Sequence, residues 1–149
     1  MDDRHAELSL ICRVQSWRCA FALSEVAEIL RPLPVEAVTG APSVLRGLAL
    51  IRGVPLPVVD GARLLGGADG AAGPGRFVVL RVAERRVALA VDEVLGVRAL
   101  PAAARHALPP LLDDAGRDGV AGIARLDADL LLVLRGARLL ADDLVAQAS

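Results

Sequence analysis

The sequence predicts a mainly-β protein built from two similar halves, and three observations carry that prediction. The stretch 47–65, GLALIRGVPLPVVDGARLL, recurs without a gap 75 positions later at 122–140 as GIARLDADLLLVLRGARLL. A second match, RCAFALSEV at 18–26 against RVALAVDEV at 86–94, is shifted by 68. Finally, several segments of six or seven residues alternate apolar and polar positions and come in pairs around short polar turns, which is the pattern of β-hairpins. Repeated short strands with hairpin links and few helical periods argue for small barrels rather than a sheet crossed by helices. Two small SH3-like barrels packed together are expected. The halves run from about 8 to 65 and from 76 to 140, joined by a Gly/Ala-rich linker at 66–75.

The first hairpin pairs 8–14 with 18–23 around Gln15-Ser16. Leu10, Cys12 and Val14 share one face of its first strand, and Cys19, Phe21 and Leu23 share one face of its second. Cys12 and Cys19 would face each other, so a disulfide is geometrically conceivable, and in a reducing compartment they read as two small buried thiols. Trp17 either stays in solvent beside the turn or folds over its own barrel. Ser24-Glu25-Val26-Ala27-Glu28 can open a short helical turn with Ser24 as N-cap. Pro32 and Pro34 make any strand over 29–38 irregular or peripheral, and Pro55 and Pro57 place the second strand of the repeated stretch at an edge or a bulge. A further hairpin pairs 77–82 with 86–91 around Glu84-Arg85. The two shifts, 75 and 68, differ by seven residues, which fall in the Pro- and Gly-rich segment 101–119, expected as a loop. Short helices are expected at the repeated Gly-Ala-Arg-Leu-Leu, with an amphipathic terminal helix over 137–147.

Composition narrows the function. The chain is 54% hydrophobic, only 2% aromatic, and carries a net charge of −1 with acids and bases interspersed. No basic stripe and few stacking rings disfavour nucleic acid. The acidic start, MDDRHAELSL, is unlike a signal peptide, and no apolar run approaches the ~20 residues of a membrane helix, so a cytoplasmic protein without membrane insertion is expected. His5 and His106 are the only histidines, and no nucleophile elbow, phosphate loop or helical zinc motif accompanies them. Asp127 and Asp129 form an Asp-x-Asp that could hold a hard cation or simply shape a turn. No enzyme activity, cofactor or metal is expected. The two copies of the repeat differ at one turn, Arg52-Gly53 against Asp127-Ala128. Arg52 is either a solvated turn arginine or an anchor for a partner, with Gly53 allowing close backbone approach.

These residues resemble the CheW family, scaffold proteins of bacterial chemosensory arrays. The family's Gly-x-x-Asn-Leu-Arg-Gly followed by an apolar, Pro-containing strand and an Asp appears as Gly47-Leu48-Ala49-Leu50-Ile51-Arg52-Gly53 with Pro57-Val58-Val59-Asp60. Val-x-Glu-Ile appears as Val26-Ala27-Glu28-Ile29, and Val-Asp-x-Val as Val91-Asp92-Glu93-Val94. The resemblance covers nearly the whole chain as a single domain and implies two five-stranded barrels. It also implies a non-catalytic adaptor that couples a CheA-type histidine kinase, through its regulatory domain, to the cytoplasmic tip of methyl-accepting chemoreceptors. The implied receptor groove involves Val26, Glu28, Ile29, Arg52 and Gly53, extended by Phe77 and Val78. The chain departs from the family pattern at Leu50 (usually Asn), Gly61 (usually Leu) and Arg135 (commonly Asp). Those departures also suit an adaptor of a non-flagellar pathway such as pilus motility. The alternative from another class is a small barrel binding a ligand or metal through Asp127 and Asp129.

Overall fold

The structure is a computed structural model that describes residues 7–66, 75–101, 104–106 and 120–136. The expected terminal helix over 137–147, His5, and most of the 66–75 linker and of the 101–119 loop lie outside the described residues. Eleven strands follow in order: β1 (Glu7–Val14), β2 (Trp17–Ala22), β3 (Val26–Leu30), β4 (Leu45–Ile51), β5 (Val54–Asp60), β6 (Arg76–Val82), β7 (Arg85–Val91), β8 (Glu93–Leu100), β9 (Arg105–His106), β10 (Val120–Leu126) and β11 (Asp129–Leu134). A one-turn helix, α1 (Gly61–Leu64), follows β5, and a 3-10 turn over Leu23–Glu25 joins β2 to β3.

The strands form a six-stranded sheet in the order β8-β1-β2-β11-β10-β9 and a five-stranded sheet in the order β3-β6-β7-β5-β4. The internal repeat is visible in this order. Replacing β3, β6, β7, β5 and β4 by their repeat partners β8, β1, β2, β11 and β10 converts one sheet into the other. Each sheet nevertheless takes strands from both halves of the sequence: β1 and β2 lie with β8–β11, and β6 and β7 lie with β3–β5. In each sheet the halves meet twice, once through an antiparallel contact, β3 with β6 and β1 with β8, and once through a parallel one, β5 with β7 and β11 with β2.

Most strands are apolar on both faces because both faces are used. Leu10, Cys12, Val14, Cys19, Phe21, Leu132 and Leu134 of one sheet pack with Val59, Val78, Leu80, Val87, Leu89 and Val91 of the other in a shared central core. The intervening residues turn outward into two smaller cores. Ala49, Ile51, Leu56, Val58, Phe77, Val79, Ala88 and Ala90 fill one, and Ile11, Ala20, Leu100, Ala124 and Leu131 fill the other. Alternation with period two sends neighbouring residues into different cores.

All four hairpins between consecutive strands close on two-residue turns whose first residue has positive φ: Gln15 (54°), Arg52 (51°), Ala83 (56°) and Asp127 (55°). Only Arg52 is followed by a residue that is also positive, Gly53 at 78°, as a type I′ turn requires. The second-half hairpin turns at Ala83-Glu84, one residue earlier than the alternation suggested. Ser24 does not cap a helix. It lies inside the 3-10 turn, whose N-cap position is Ala22 with no side-chain bond, and extended β3 begins at Val26. Pro55 and Pro57 sit inside the five-stranded sheet, not on an edge strand. They pair with Leu50 and Leu48 on β4, and β5 meets β7 only from Val58 onward. On that side the proline half of β5 has no neighbour to deprive of an N–H.

Two positions of the repeat carry structural duties. Gly47 adopts φ 142°, and a Cβ there would overlap the Glu36 carbonyl, because Glu36 and Leu48 exchange both backbone hydrogen bonds across it. Its repeat partner Gly122 is crossed by β9, within the segment expected as loop, and a Cβ there would meet the His106 carbonyl oxygen at 2.8 Å. Asp60 is 2% exposed. One oxygen accepts from the Arg63 N–H that opens α1, at 3.1 Å, and the other from Arg46 Nε at 2.9 Å.

Gly47→Ala is therefore expected to cost roughly 2–4 kcal/mol of stability in urea denaturation, and Gly122→Ala roughly 1–2 kcal/mol. Asp60→Ala, which removes a cap and strands Arg46, is expected to cost roughly 2–4 kcal/mol, with Asp60→Asn intermediate, in the same measurement.

Candidate functional site

Arg52 stands at the tip of the β4–β5 hairpin with its side chain 72% exposed. Its guanidinium reaches across to β3. Nε lies 3.0 Å from both carboxylate oxygens of Glu28, and Nη2 lies 2.9 Å from Oε1. The Arg52 guanidinium holds the Glu28 carboxyl below its usual range, first through the hydrogen bonds and then through charge, to which Arg86 also contributes. The same pair raises the Arg52 pKa. Both groups therefore stay ionised at neutral pH, and the cation is the more exposed partner.

The pair also has a geometric meaning. β3 and β4 are the two edges of the five-stranded sheet. Five strands laid flat would hold their edges about 19 Å apart. An ion pair from one edge to the turn at the other requires the sheet to curl around its small core. The ladders remain open, so the expected barrels are realised as curled sheets whose edges approach without pairing.

The second half repeats this device with its charges reversed. Asp127, the repeat partner of Arg52, accepts from Arg98 Nη2 on edge strand β8 at 3.0 Å. Asp129 Oδ1 lies 2.6 Å from Arg18 Nη1. Both acids of the Asp-x-Asp are thus engaged by guanidiniums, which a cation would have to displace. Among the described residues no cluster of three or more His, Cys, Asp or Glu could hold a metal ion.

Of the residues expected in the groove, the structure brings Glu28, Arg52 and Gly53 together, with Ile29 beside Glu28 and exposed at 41%. Val26 is half-buried and packs against the central core. Phe77 and Val78 are buried on β6, the strand beside β3, where they pair with Leu30 and Ile29. Interior β6 sends its side chains alternately into two cores, so neither of these two reaches the surface. Sequence reasoning overlooked Leu50, 66% exposed, and Val54, 42% exposed, on either side of the Arg52 turn. For Leu50 alternation contained the signal, because its neighbour Ile51 is a core residue; Val54 pairs with Ile51, and alternation gives no such signal for it.

Cavities elsewhere include an open, mostly polar one of about 470 Å³ beside Ser24, Glu25, Val26, Ala27, Arg81 and Ala83, and two smaller ones. One of about 100 Å³ is lined by Arg46, Asp60, Arg76 and Asp92, whose charges are engaged within the chain. Another of about 180 Å³ lies among Ile11, Leu95, Val97, Leu126 and Leu131. Both fall below the ~300 Å³ usual for a small-molecule site. No helix among the described residues is long and apolar enough to cross a membrane.

Comparison with solved structures finds the scaffolding protein TtCheW from Thermoanaerobacter tengcongensis, with a TM-score of 0.77 at 18% identity, covering 87% of this chain and 88% of that one. At that identity the likeness speaks for the fold. No curated protein sequence matches the chain. The family model described as the CheW-like domain matches residues 9–144. That match spans most of the sequence and includes the Arg52 turn, β3 and both copies of the repeat, so the chain belongs to the CheW-like domain family.

Proposed function

We propose that this chain is a chemotaxis adaptor that couples a CheA-type histidine kinase to the cytoplasmic tip of chemoreceptors, with the Arg52 turn and β3 as its receptor-facing surface. The observation that carries the reading is the Glu28–Arg52 pair with its exposed guanidinium, together with the exposed apolar side chains of Leu50 and Val54 on either side of the turn and of Ile29 next to Glu28 on β3. A preformed cation on a rigid hairpin, rimmed by aliphatic side chains, suits a helical receptor tip that offers an apolar stripe and a polar group beside it. Glu28 fixes the direction of the guanidinium before the partner arrives, which lowers the ordering cost of binding. Leu50 replaces the family's usual Asn, so the rim here is more apolar, and this suits a receptor set different from that of typical members, including one in a non-flagellar pathway.

The kinase half of the proposal is tested by titration calorimetry against the regulatory domains of the CheA-type kinases of the source organism. Binding in the micromolar range or tighter to one of them supports the coupling role, and absence of binding to all of them rejects it. On the receptor side, Arg52→Ala is expected to weaken affinity for a receptor-tip fragment by about tenfold or more. It should leave the thermal midpoint nearly unchanged, because an exposed ion pair contributes about 0–1 kcal/mol. Leu50→Asp is expected to weaken the same binding about tenfold, again without loss of stability, since the side chain it replaces is already in solvent.

A further inference from the structure

Cys12 and Cys19 occupy directly opposed positions on the antiparallel strands β1 and β2. Directly opposed residues of such a pair point to the same face of the sheet. Both belong to the central core, both are fully buried, and both are free thiols. Opposed residues on antiparallel strands have Cα atoms about 4.5 or 5.5 Å apart, and both values lie within the ~4.4–6.8 Å that a disulfide bridges. Burial blocks the chemistry in the closed state. It pushes the Cys12 thiol up to about 12 from 9.0, which leaves roughly a thousandfold less thiolate at neutral pH than a solvated thiol has. Cys19 is raised as well, by burial and by the neighbouring Cys12. No small oxidant can reach either sulfur while β1 and β2 stay packed.

We propose that Cys12 and Cys19 form a gated dithiol, converted to an intrachain disulfide by small-molecule disulfides only when the β1–β2 hairpin opens. The gate has an identifiable weak point. The β1–β8 ladder is interrupted between Ile11 and Cys12, so the strand carrying one thiol is already irregular on its far side. Once the hairpin opens, the chemistry balances with glutathione disulfide as oxidant. One cysteine thiolate attacks it and releases one glutathione thiolate. The second cysteine thiolate then displaces the remaining glutathione and forms the Cys12–Cys19 bond. The protein gives up two protons and two electrons, and the glutathione disulfide becomes two glutathione molecules. Only six residues separate the cysteines. The second thiolate therefore meets the mixed disulfide at a high effective concentration, and the second step outruns capture of another oxidant molecule at low oxidant concentration. The bond staples the hairpin at the centre of the six-stranded sheet, and anything that stabilises the folded chain slows its formation.

The test incubates the full chain with glutathione disulfide at slightly alkaline pH over a urea series below the unfolding transition, quenches with N-ethylmaleimide, and reads intact mass and peptide maps. The expected product is a monomer lighter by two hydrogens, with Cys12 and Cys19 in one linked peptide. Its rate of formation should rise by about tenfold or more as urea approaches the transition, in step with the rate at which N-ethylmaleimide alone labels the thiols. In Cys19→Ala the reaction should stop at one glutathione on Cys12, and in Cys12→Ala at one on Cys19. A doubly glutathionylated chain, disulfide-linked dimers as the main product, an oxidation rate independent of urea, or no linked peptide even after unfolding and refolding with the oxidant would each overturn the proposal.

Discussion

Val78, Leu80, Val87 and Leu89 from one sheet and Leu10, Cys12, Phe21 and Leu132 from the other fill a single core, and the remaining architecture follows from keeping it closed. A strand that contributes to this core sends its alternate residues the other way. Those residues are apolar too, so each sheet must curl until they are covered. The cost of leaving them in water, about 25 cal/mol per Å² of apolar surface, bends the sheets and creates the two smaller cores. The close crossings at Gly47 and Gly122 belong to the same constraint, since each brings a second chain segment over the sheet edge where a side chain would hold it away.

The curl also builds the candidate site. It brings the β4–β5 turn within reach of β3 and lets Arg52 bond Glu28 from one sheet edge to the other. The repeat partner at Asp127 makes the equivalent bridge to β8 with acid and base exchanged. The frame thus specifies a link between turn and edge strand in both halves and leaves its polarity free. A left-handed first turn residue occurs in all four hairpins, so the positive φ of Arg52 reflects turn geometry and is no mark of function. What distinguishes Arg52 from Asp127 is the sign of its charge and the exposed Leu50 and Val54 on either side of its turn, where the second half has Arg125 and Asp129.

Much of this was legible in the sequence. Hairpin positions, the duplicated strand pairs and the contrast between Arg52 and Asp127 could all be read off spacing and alternation, because period-two patterns and turn residues act locally. Arg52 was singled out by the contrast between the repeats and Glu28 through resemblance; their bond spans 24 residues and depends on curvature that no local pattern records. Phe77 and Val78 were expected near a partner and are buried, because an all-aliphatic strand looks the same whether one or both of its faces are covered. Leu50 was overlooked for the converse reason: an apolar residue between the core residues Ala49 and Ile51 reads as core.

By itself the sequence determined the hairpins, the two-fold internal repeat, the mainly aliphatic core and the residues that distinguish one turn from the other, while β3, β8 and β9 emerged only in the structure. Tertiary structure alone decided that each sheet mixes strands from both halves, that proline-bearing β5 lies inside a sheet, and that the core holding Cys12 and Cys19 is shared by both sheets. The physical reason is range. Alternation, turn chemistry and repetition are written in neighbouring residues, whereas strand partners and the side of a strand that meets solvent are settled by burying every apolar face at once.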